Sequence, residues 1–318
     1  MANLSRERTT FLSFSLPRNR RRQEALACYL FIAPGVLGYL IFILGPLLYS
    51  LVMSFMDYGV ITEPRFIGFD NWRTLFTRDP LIWQSLKVTA FYSIGSVVLG
   101  LVVSLFVAML MNQRIFGIGI FRTIYYLPSV ISGVPVALLW MWVFNPTVGV
   151  LNTALGWFGI TGPNWLYDSF WVIPAFIIMS LWSTGGAMVI FLASLQGVPQ
   201  QLHEAAEIDG ASALSRFINI TLPMISSVIF FNLILSIIGS FQSFTQAYVM
   251  TQGGPANASL FYVLYLYRNA FEYFQMGYAS AMAWFLFIII LALTALIFKS
   301  SSLWVYYENE GKAGRNEH

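Results

Sequence analysis

Charged residues are scarce in this sequence. Only 10% of its 318 residues are Asp, Glu, Lys or Arg, and 58% are hydrophobic, whereas soluble domains are about 25% charged and about 45–50% apolar. The mean hydropathy is +0.69. The apolar residues form blocks long enough for the roughly 20 residues that a membrane-spanning helix needs. The composition therefore predicts an all-α integral membrane protein.

Cysteine and histidine are nearly absent. The one cysteine, Cys28, excludes disulfides and multi-cysteine metal sites. The two histidines, His203 and His318, lie in a loop and at the terminus, so an intramembrane enzyme would lack both a metal cluster and a nucleophile–histidine pair. We expect a chain that is not an enzyme, binds no metal or cofactor itself and has no nucleic-acid partner.

Acidic residues are missing from every long apolar block. None of the fourteen Asp and Glu residues lies in one, although proton-coupled carriers generally keep an ionisable group within the membrane. A G-x-x-x-x-G-K-[ST] phosphate loop is also absent. The energy source is therefore expected outside this chain. An ion-coupled secondary transporter of a polar solute stays open as the alternative, because backbone carbonyls of broken helices can bind sodium without an acid.

The apolar blocks predict six spans within a permease domain at 27–299. The spans are 27–55, 85–111, 124–144, 171–195, 223–250 and 277–298. A basic segment, 1–26, precedes them, and a polar tail, 300–318, follows. Twelve of the seventeen Lys and Arg residues then fall in segments on one side. By the positive-inside rule this side is the cytoplasm, with both termini in it.

The loop at 196–222 is polar and longer than a turn between spans requires. Pro199 suits a first helical position, Gly210 breaks that helix, and Ser212 can cap a second one. The acids available to a partner are Glu204, Glu207 and Asp209. The periodicity alone fits equally well an amphipathic linker resting on lipid headgroups. Three acids facing an anionic leaflet fit that alternative poorly.

Polar residues recur along one side of the predicted fifth span. They lie within about 40° of one helical direction and are Asn232, Ser236, Gly239, Ser243 and Gln246. A weaker set on the fourth span consists of Ser180, Ser183 and Thr184. Hydrogen bonds between helices would explain any single one of them. For the whole stripe we favour the lining of a solute pathway.

Three tryptophans of the third and fourth spans, Trp140, Trp142 and Trp182, present flat apolar faces on which a sugar ring can stack. Membrane tryptophans are more often interfacial anchors. Both interpretations stay open for each of the three.

A family resemblance is carried by the polar loop and by short motifs at the span boundaries. In the loop, Glu204-Ala205-Ala206 is followed by Asp209-Gly210-Ala211 and then by Phe217, Ile220, Leu222 and Pro223. The other motifs are Phe121-Arg122-Thr123, Leu127-Pro128, Asn145-Pro146, Thr251-Gln252-Gly253-Gly254-Pro255 and Gly277-Tyr278-Ala279-Ser280-Ala281. Together they resemble the binding-protein-dependent ABC transporter permeases of the sugar-import branch, the maltose and glycerol-phosphate type, in a six-span form. The resemblance covers about 27–299.

This resemblance implies a type I ABC importer permease fold in the bacterial inner membrane. The loop would be the EAA coupling helix, seated in a cytoplasmic ATPase subunit, with a contact set of Glu204, Ala205, Ala206, Asp209 and Gly210. The implied partners are a second, commonly non-identical permease, two ATPase subunits that bind ATP and magnesium, and an extracytoplasmic solute-binding protein. The chain would form half of the pathway for a sugar, oligosaccharide or related polyol.

Overall fold

The structure is a computed structural model and describes residues 20–59, 63–113 and 115–306. Most of the predicted basic segment 1–26, and the part of the predicted tail beyond residue 306, lie outside the described residues. The described chain is mainly helical, as predicted. It divides into two units, Met1–Val52 and Met53–His318.

The first unit contains a long apolar helix. It consists of α1 at Arg20–Tyr39, a π-helical turn at Leu40–Leu44, and α2, which begins at Gly45 and ends at Met53. The helical stretch Glu24–Met53 has 30 residues, which is long enough to cross a membrane at 1.5 Å per residue.

The helices of the second unit follow in chain order. The first are α3 at Asp70–Thr77, α4 at Pro80–Met111, α5 at Ile118–Tyr126, α6 at Gly133–Val143 and α7 at Val150–Trp157. Next are α8 at Val172–Trp182, α9 at Gly185–Gly197, α10 at Gln200–Ile208, α11 at Ala213–Arg216 and α12 at Leu222–Met224. The last are α13 at Ser226–Phe241, α14 at Tyr262–Tyr267 and α15 at Met276–Ser301.

Short irregular helical turns connect several of these helices. One 3₁₀ turn covers Leu127–Ser129, and π-helical turns cover Phe217–Thr221, Ala247–Thr251 and Arg268–Glu272. Among the described residues, the only sheet is a small antiparallel ribbon of two two-residue strands, β1 at Met56–Asp57 and β2 at Arg65–Phe66. The sequence does not predict it.

Several apolar segments are bent rather than straight. Within the described residues, three continuous helices are long and apolar enough to cross a membrane, and they cover Glu24–Met53, Pro80–Met111 and Met276–Ser301. The number rises to six if each of three bent helix pairs counts as one span. The pairs are Ile118–Ser129 with Gly133–Val143, bent by 99°, Val172–Trp182 with Gly185–Gly197, bent by 49°, and Ala213–Met224 with Ser226–Phe241, bent by 67°. Pro128 lies next to the sharpest bend. Proline favours a bend there because it removes a backbone donor and clashes with the preceding turn.

Helix α4 occupies the centre of the second unit, where it packs against α8, α9 and α13. Its buried face carries small hydroxyl residues, which let neighbouring helices approach closely, and these are Ser85, Thr89, Ser93, Ser96 and Ser104. Thr89 also connects α4 to the start of α14, because its Oγ1 accepts a 2.9 Å hydrogen bond from the backbone N–H of Tyr262. The Tyr262 hydroxyl in turn donates to the Met282 carbonyl of α15.

Both ends of α4 are fixed by polar side chains. The carboxylate of Asp79 accepts a 3.0 Å hydrogen bond from Leu81 N–H, and Pro80 takes the first helical position, so the helix begins five residues before the predicted 85. At the other end Arg122 Nη2 donates a 2.7 Å bond to the Met111 carbonyl. This satisfies an acceptor that the last helical turn leaves free.

Candidate functional sites

The polar loop at 196–222, which we call the EAA segment, folds as two helices joined by a turn. Its first helix, α10, begins at Gln200 rather than at the predicted Pro199. Pro199 has an extended ψ of 123° and occupies the N-cap position instead. Gln200 Nε2 donates a 2.8 Å hydrogen bond to Glu204 Oε1 one turn later.

The turn after α10 confirms the helix break predicted at Gly210. Gly210 has φ of +78°, a conformation that favours glycine. Its N–H donates to the Glu207 carbonyl at 3.0 Å, and Ala211 N–H donates to the Ala206 carbonyl at 2.9 Å. These two bonds form a Schellman motif, in which glycine takes the left-handed position just past the helix.

Helix α11 begins immediately after this turn. Ser212 is its N-cap and its Oγ accepts a 3.2 Å hydrogen bond from Ser215 N–H, as the sequence predicts. Arg216 then reaches back to α10, where its Nη1 lies 2.7 Å from Glu207 Oε2. The turn and this ion pair both connect the two helices.

The surface of the EAA segment is mixed polar and apolar. Of the predicted contact set, Ala206 is half-buried. The other four residues are exposed, namely Glu204, Ala205, Asp209 and Gly210. Ile208, beside the turn, is 87% exposed. The sequence assigns it no role. An exposed isoleucine in a polar loop is recognised only once the structure shows which side chains are buried.

A cavity of about 460 Å³ lies between α4, the α8–α9 bend and α13. We call it the serine cavity. Five of the predicted pathway residues line it, namely Ser180, Thr184, Ser236, Gly239 and Ser243. Further lining residues that sequence analysis missed or ranked low are Tyr92, Ser96, Ser104, Ser183 and Ser240. They come from α4, from α13 and from the turn between α8 and α9, and packing between helices decides which of their residues face the cavity.

Four hydroxyl groups around the serine cavity share one orientation. Each of these four donates its hydrogen to a backbone carbonyl three or four residues earlier, and the bonds are Ser104 to Gly100, Ser180 to Ile177, Thr184 to Leu181 and Ser240 to Ile237, at 2.6, 2.7, 2.9 and 3.0 Å. A hydroxyl oxygen that donates in this way keeps acceptor capacity. The lining therefore offers acceptors to a solute that carries several O–H donors.

Two residues of the predicted stripe have other surroundings. Helix α13 ends at Phe241, so Gln246 lies beyond a break and does not continue its face. Gln246 Nε2 donates a 3.1 Å bond to the Tyr92 hydroxyl and lines an adjoining cavity of about 230 Å³. Asn232 is buried, and its Nδ2 donates to the Val228 carbonyl at 3.0 Å. The five residues consequently do not form one continuous helical stripe.

Two of the three tryptophans, Trp140 and Trp182, lie in an aromatic group. The rings of Trp140 and Trp182 are 6.1 Å apart and nearly perpendicular. Among the described residues, the linings of the two cavities above do not include Trp140, Trp142 or Trp182. Within residues 20–59, 63–113 and 115–306, no three His, Cys, Asp or Glu side chains are grouped closely enough to hold a metal ion.

Bent apolar helices around a hydroxyl-lined cavity, with a polar helix-turn-helix between two of them, define a membrane transport component. The chain belongs to the family described as "Binding-protein-dependent transport system inner membrane component", which matches residues 96–305. The family predicted from the sequence is therefore confirmed, as is the placement in the inner membrane. The family is a transport permease component and not an enzyme.

Curated relatives match nearly the whole chain. A probable ABC transporter permease protein, YesP, of Bacillus subtilis (strain 168) is 44% identical over 293 residues, which cover 91% of this chain and 94% of YesP. The lactose transport system permease protein LacF of Rhizobium radiobacter is 36% identical, over 85% of this chain and 92% of LacF.

A solved structure has the same fold. It is the crystal structure of a bacterial alginate ABC transporter in complex with an alginate pentasaccharide-bound periplasmic protein. One of its chains matches this one with a TM-score of 0.78 and 25% identity, over 89% of this chain and 96% of that chain. The predicted type I ABC importer permease fold is confirmed by this match.

Proposed function

We propose that this chain forms half of the translocation pathway of an ATP-driven, binding-protein-dependent importer for a sugar, oligosaccharide or related polyol. The observation that carries the solute class is the acceptor-rich lining of the serine cavity, which matches the many hydroxyl donors of such a solute. The names of the relatives agree with it: LacF transports lactose, and the crystallised transporter was bound to an alginate-carrying protein.

The proposed pathway residues are Ser180, Thr184, Ser236, Gly239, Ser243 and Gln246, all of which line one of the two adjoining cavities. Asn232, predicted with them, is better explained as a buried residue that packs α13, since its amide donates to a backbone carbonyl. We therefore keep it as a supporting residue rather than a solute contact.

The EAA segment is proposed as the attachment point of an ATPase subunit. Its exposed acids, Glu204 and Asp209, lie beside the bare side chain of Ile208 and the fixed bend at Gly210. A protein cleft that accepts an apolar residue within a polar rim suits this surface. ATP and magnesium would be bound by two such ATPase subunits, and this chain would bind no cofactor itself.

The remaining parts of the proposal concern assembly and orientation. A second, non-identical permease would complete the pathway, and an extracytoplasmic solute-binding protein would deliver the solute. Both termini would lie in the cytoplasm, on the side of the EAA segment, as the distribution of basic residues indicates.

Uptake in proteoliposomes that contain the full transporter tests this function. With the binding protein outside and ATP inside, a labelled disaccharide such as lactose or maltose should accumulate, and the ATPase inhibitor vanadate should stop it. Uptake that persists without ATP, while a sodium or proton gradient is held, would favour the ion-coupled carrier instead.

A further inference from the structure

A second polar cavity, of about 500 Å³, lies at the end of the second unit where α4 begins. Its walls come from two loops, 56–84 and 251–276, and from the first turn of α15. These loops follow the first and fifth predicted spans, so the predicted topology places them opposite the cytoplasmic side, and we call them the exterior segments. We propose that this cavity binds a neutral polyhydroxylated ligand, such as a saccharide, as an exterior capture site separate from the serine cavity. The inference rests on the proposed function.

The first exterior segment lies close against the start of α15. The N–H of Gly277 donates a 3.1 Å hydrogen bond to the Tyr58 carbonyl. A Cβ at position 277 would collide with the Met56 carbonyl oxygen, so only glycine permits this approach. The Asn71 side chain holds the other side of the wall, because its Nδ2 donates to the carbonyls of Ser54 and Met56 at 3.0 and 2.9 Å.

Asp79 orients the tyrosine hydroxyls at the base of the cavity. Its Oδ2 accepts 2.7 Å hydrogen bonds from the hydroxyls of both Tyr265 and Tyr278. Burial and the Asp79 carboxylate raise the pKa of Tyr265, which therefore keeps its proton on this bond. With their hydrogens directed at Asp79, both phenol oxygens offer acceptor lone pairs to a ligand.

The amide groups add to this acceptor-rich lining. Both hydrogens of the Asn71 amide are used on backbone carbonyls, which leaves its Oδ1 as an acceptor. Asn269 is buried, and its Nδ2 donates to the Tyr265 carbonyl at 2.9 Å. The side chains of Arg78 and Gln275 supply donors in the same lining. A ligand with several hydroxyl groups, each both donor and acceptor, pairs with this combination.

Charge and size favour a neutral ligand over an ion. The Asp79 carboxylate is already engaged by Leu81 N–H and two tyrosine hydroxyls. The other charged lining residues, Asp57 and Arg78, have opposite signs. A volume of about 500 Å³ falls within the range of small-molecule sites.

The location suits a ligand on its way to the serine cavity. Asp79 caps α4, and Tyr92 of the serine cavity lies thirteen residues along the same helix. At 1.5 Å per residue the two sites are about 20 Å apart. A solute approaching from the side of the two exterior segments would meet the capture site first.

Cysteine labelling in spheroplasts that contain the full transporter tests the capture site. The lone cysteine is removed by Cys28→Ser, and Thr74→Cys places a thiol in the cavity lining. The matched control is Thr161→Cys. Thr161 is exposed, lies outside this lining, and belongs to the loop 145–170 between the third and fourth predicted spans, on the same side of the membrane in the predicted topology. The reagent is a membrane-impermeant maleimide, and maltose, trehalose or lactose is added at rising concentration.

We expect maleimide to label both thiols and at least one disaccharide to slow labelling at position 74 only. Adding Gln275→Ala should raise the half-protecting sugar concentration about fivefold, the effect of one lost hydrogen bond. The cation putrescine is added in a parallel experiment. If no disaccharide slows labelling at position 74, or if only putrescine slows it, the capture site is wrong and the proposed importer is unaffected. A thiol at 74 that is inaccessible from outside, with the control labelled, would overturn it too. Absent ATP-driven uptake would instead count against the proposed function.

Discussion

The guanidinium of Arg216 lies 2.7 Å from the carboxylate of Glu207, across the turn that joins the two helices of the EAA segment. Arg216 is mostly shielded, with 23% of its side chain exposed, whereas Glu207 is 69% exposed. Solvent weakens such a pair to about 0–1 kcal/mol. Its effect is therefore on the angle between α10 and α11 more than on overall stability.

Reversing either charge of this pair should weaken coupling. We expect Glu207→Arg alone, or Arg216→Glu alone, to lower ATP-dependent uptake about two- to fivefold, the scale of a surface ion pair. The double variant should recover most of the loss. Membrane yield of the chain serves as the control, and failure of the double variant to recover would show that the pair does not set the geometry.

Ile208 should contribute to the affinity for the ATPase subunit. Because it is 87% exposed, Ile208→Ser should leave the chain folded and weaken binding of the purified ATPase to the permease pair in nanodiscs about tenfold, as expected from the loss of one buried aliphatic side chain. Leu303→Ser is the matched control, since Leu303 is 86% exposed. Equal losses for the two variants would contradict a specific role of Ile208.

The two amide side chains of the predicted stripe should separate in function. Gln246→Leu removes a cavity-lining amide that bonds to Tyr92, and we expect the maximal uptake rate to fall about fivefold with normal assembly. Asn232→Leu should instead lower the thermal midpoint of the purified complex and change uptake little, because this side chain is buried against a carbonyl. The opposite pattern would place Asn232 on the pathway.

The close approach of α9 to α5 should depend on a single glycine. A Cβ at Gly185 would collide with the backbone of Tyr125 and Tyr126, whereas a Cβ at the adjacent Gly186 meets nothing within 4 Å. Gly185→Ala should therefore destabilise the protein by about 1–3 kcal/mol, seen as a lower thermal midpoint in detergent. Gly186→Ala should be close to neutral, and equal effects would argue against this close contact.

Local features of the EAA segment were predictable because they depend on neighbouring residues. A glycine after a short helix and a serine before the next one specify the Gly210 turn and the Ser212 cap without knowledge of the rest of the fold. Pro199 was misplaced by one position, since φ alone does not decide whether a residue is the cap or the first helical residue.

The cavity linings were only partly predictable because they depend on contacts between distant segments. The periodicity of the fifth span identified Ser236 and Gly239 but assumed a continuous helix, and the break after Phe241 turns Gln246 to another surface. Tyr92 and Ser104 belong to α4, several of whose hydroxyl residues pack against neighbouring helices, so packing reveals which of them line the cavity.

The central claim, that the EAA segment transmits ATP hydrolysis to the membrane helices, is tested by the amount of solute taken up per ATP hydrolysed. Proteoliposomes would carry the complete transporter with Gly210→Pro or Glu204→Lys, and with Gly197→Ala as the control, since Gly197 has open space around it and an ordinary helical position. Proline cannot adopt the φ of +78° found at Gly210. We predict that both variants insert and hydrolyse ATP but lose uptake, while the control transports normally. Normal uptake by both variants would contradict the account.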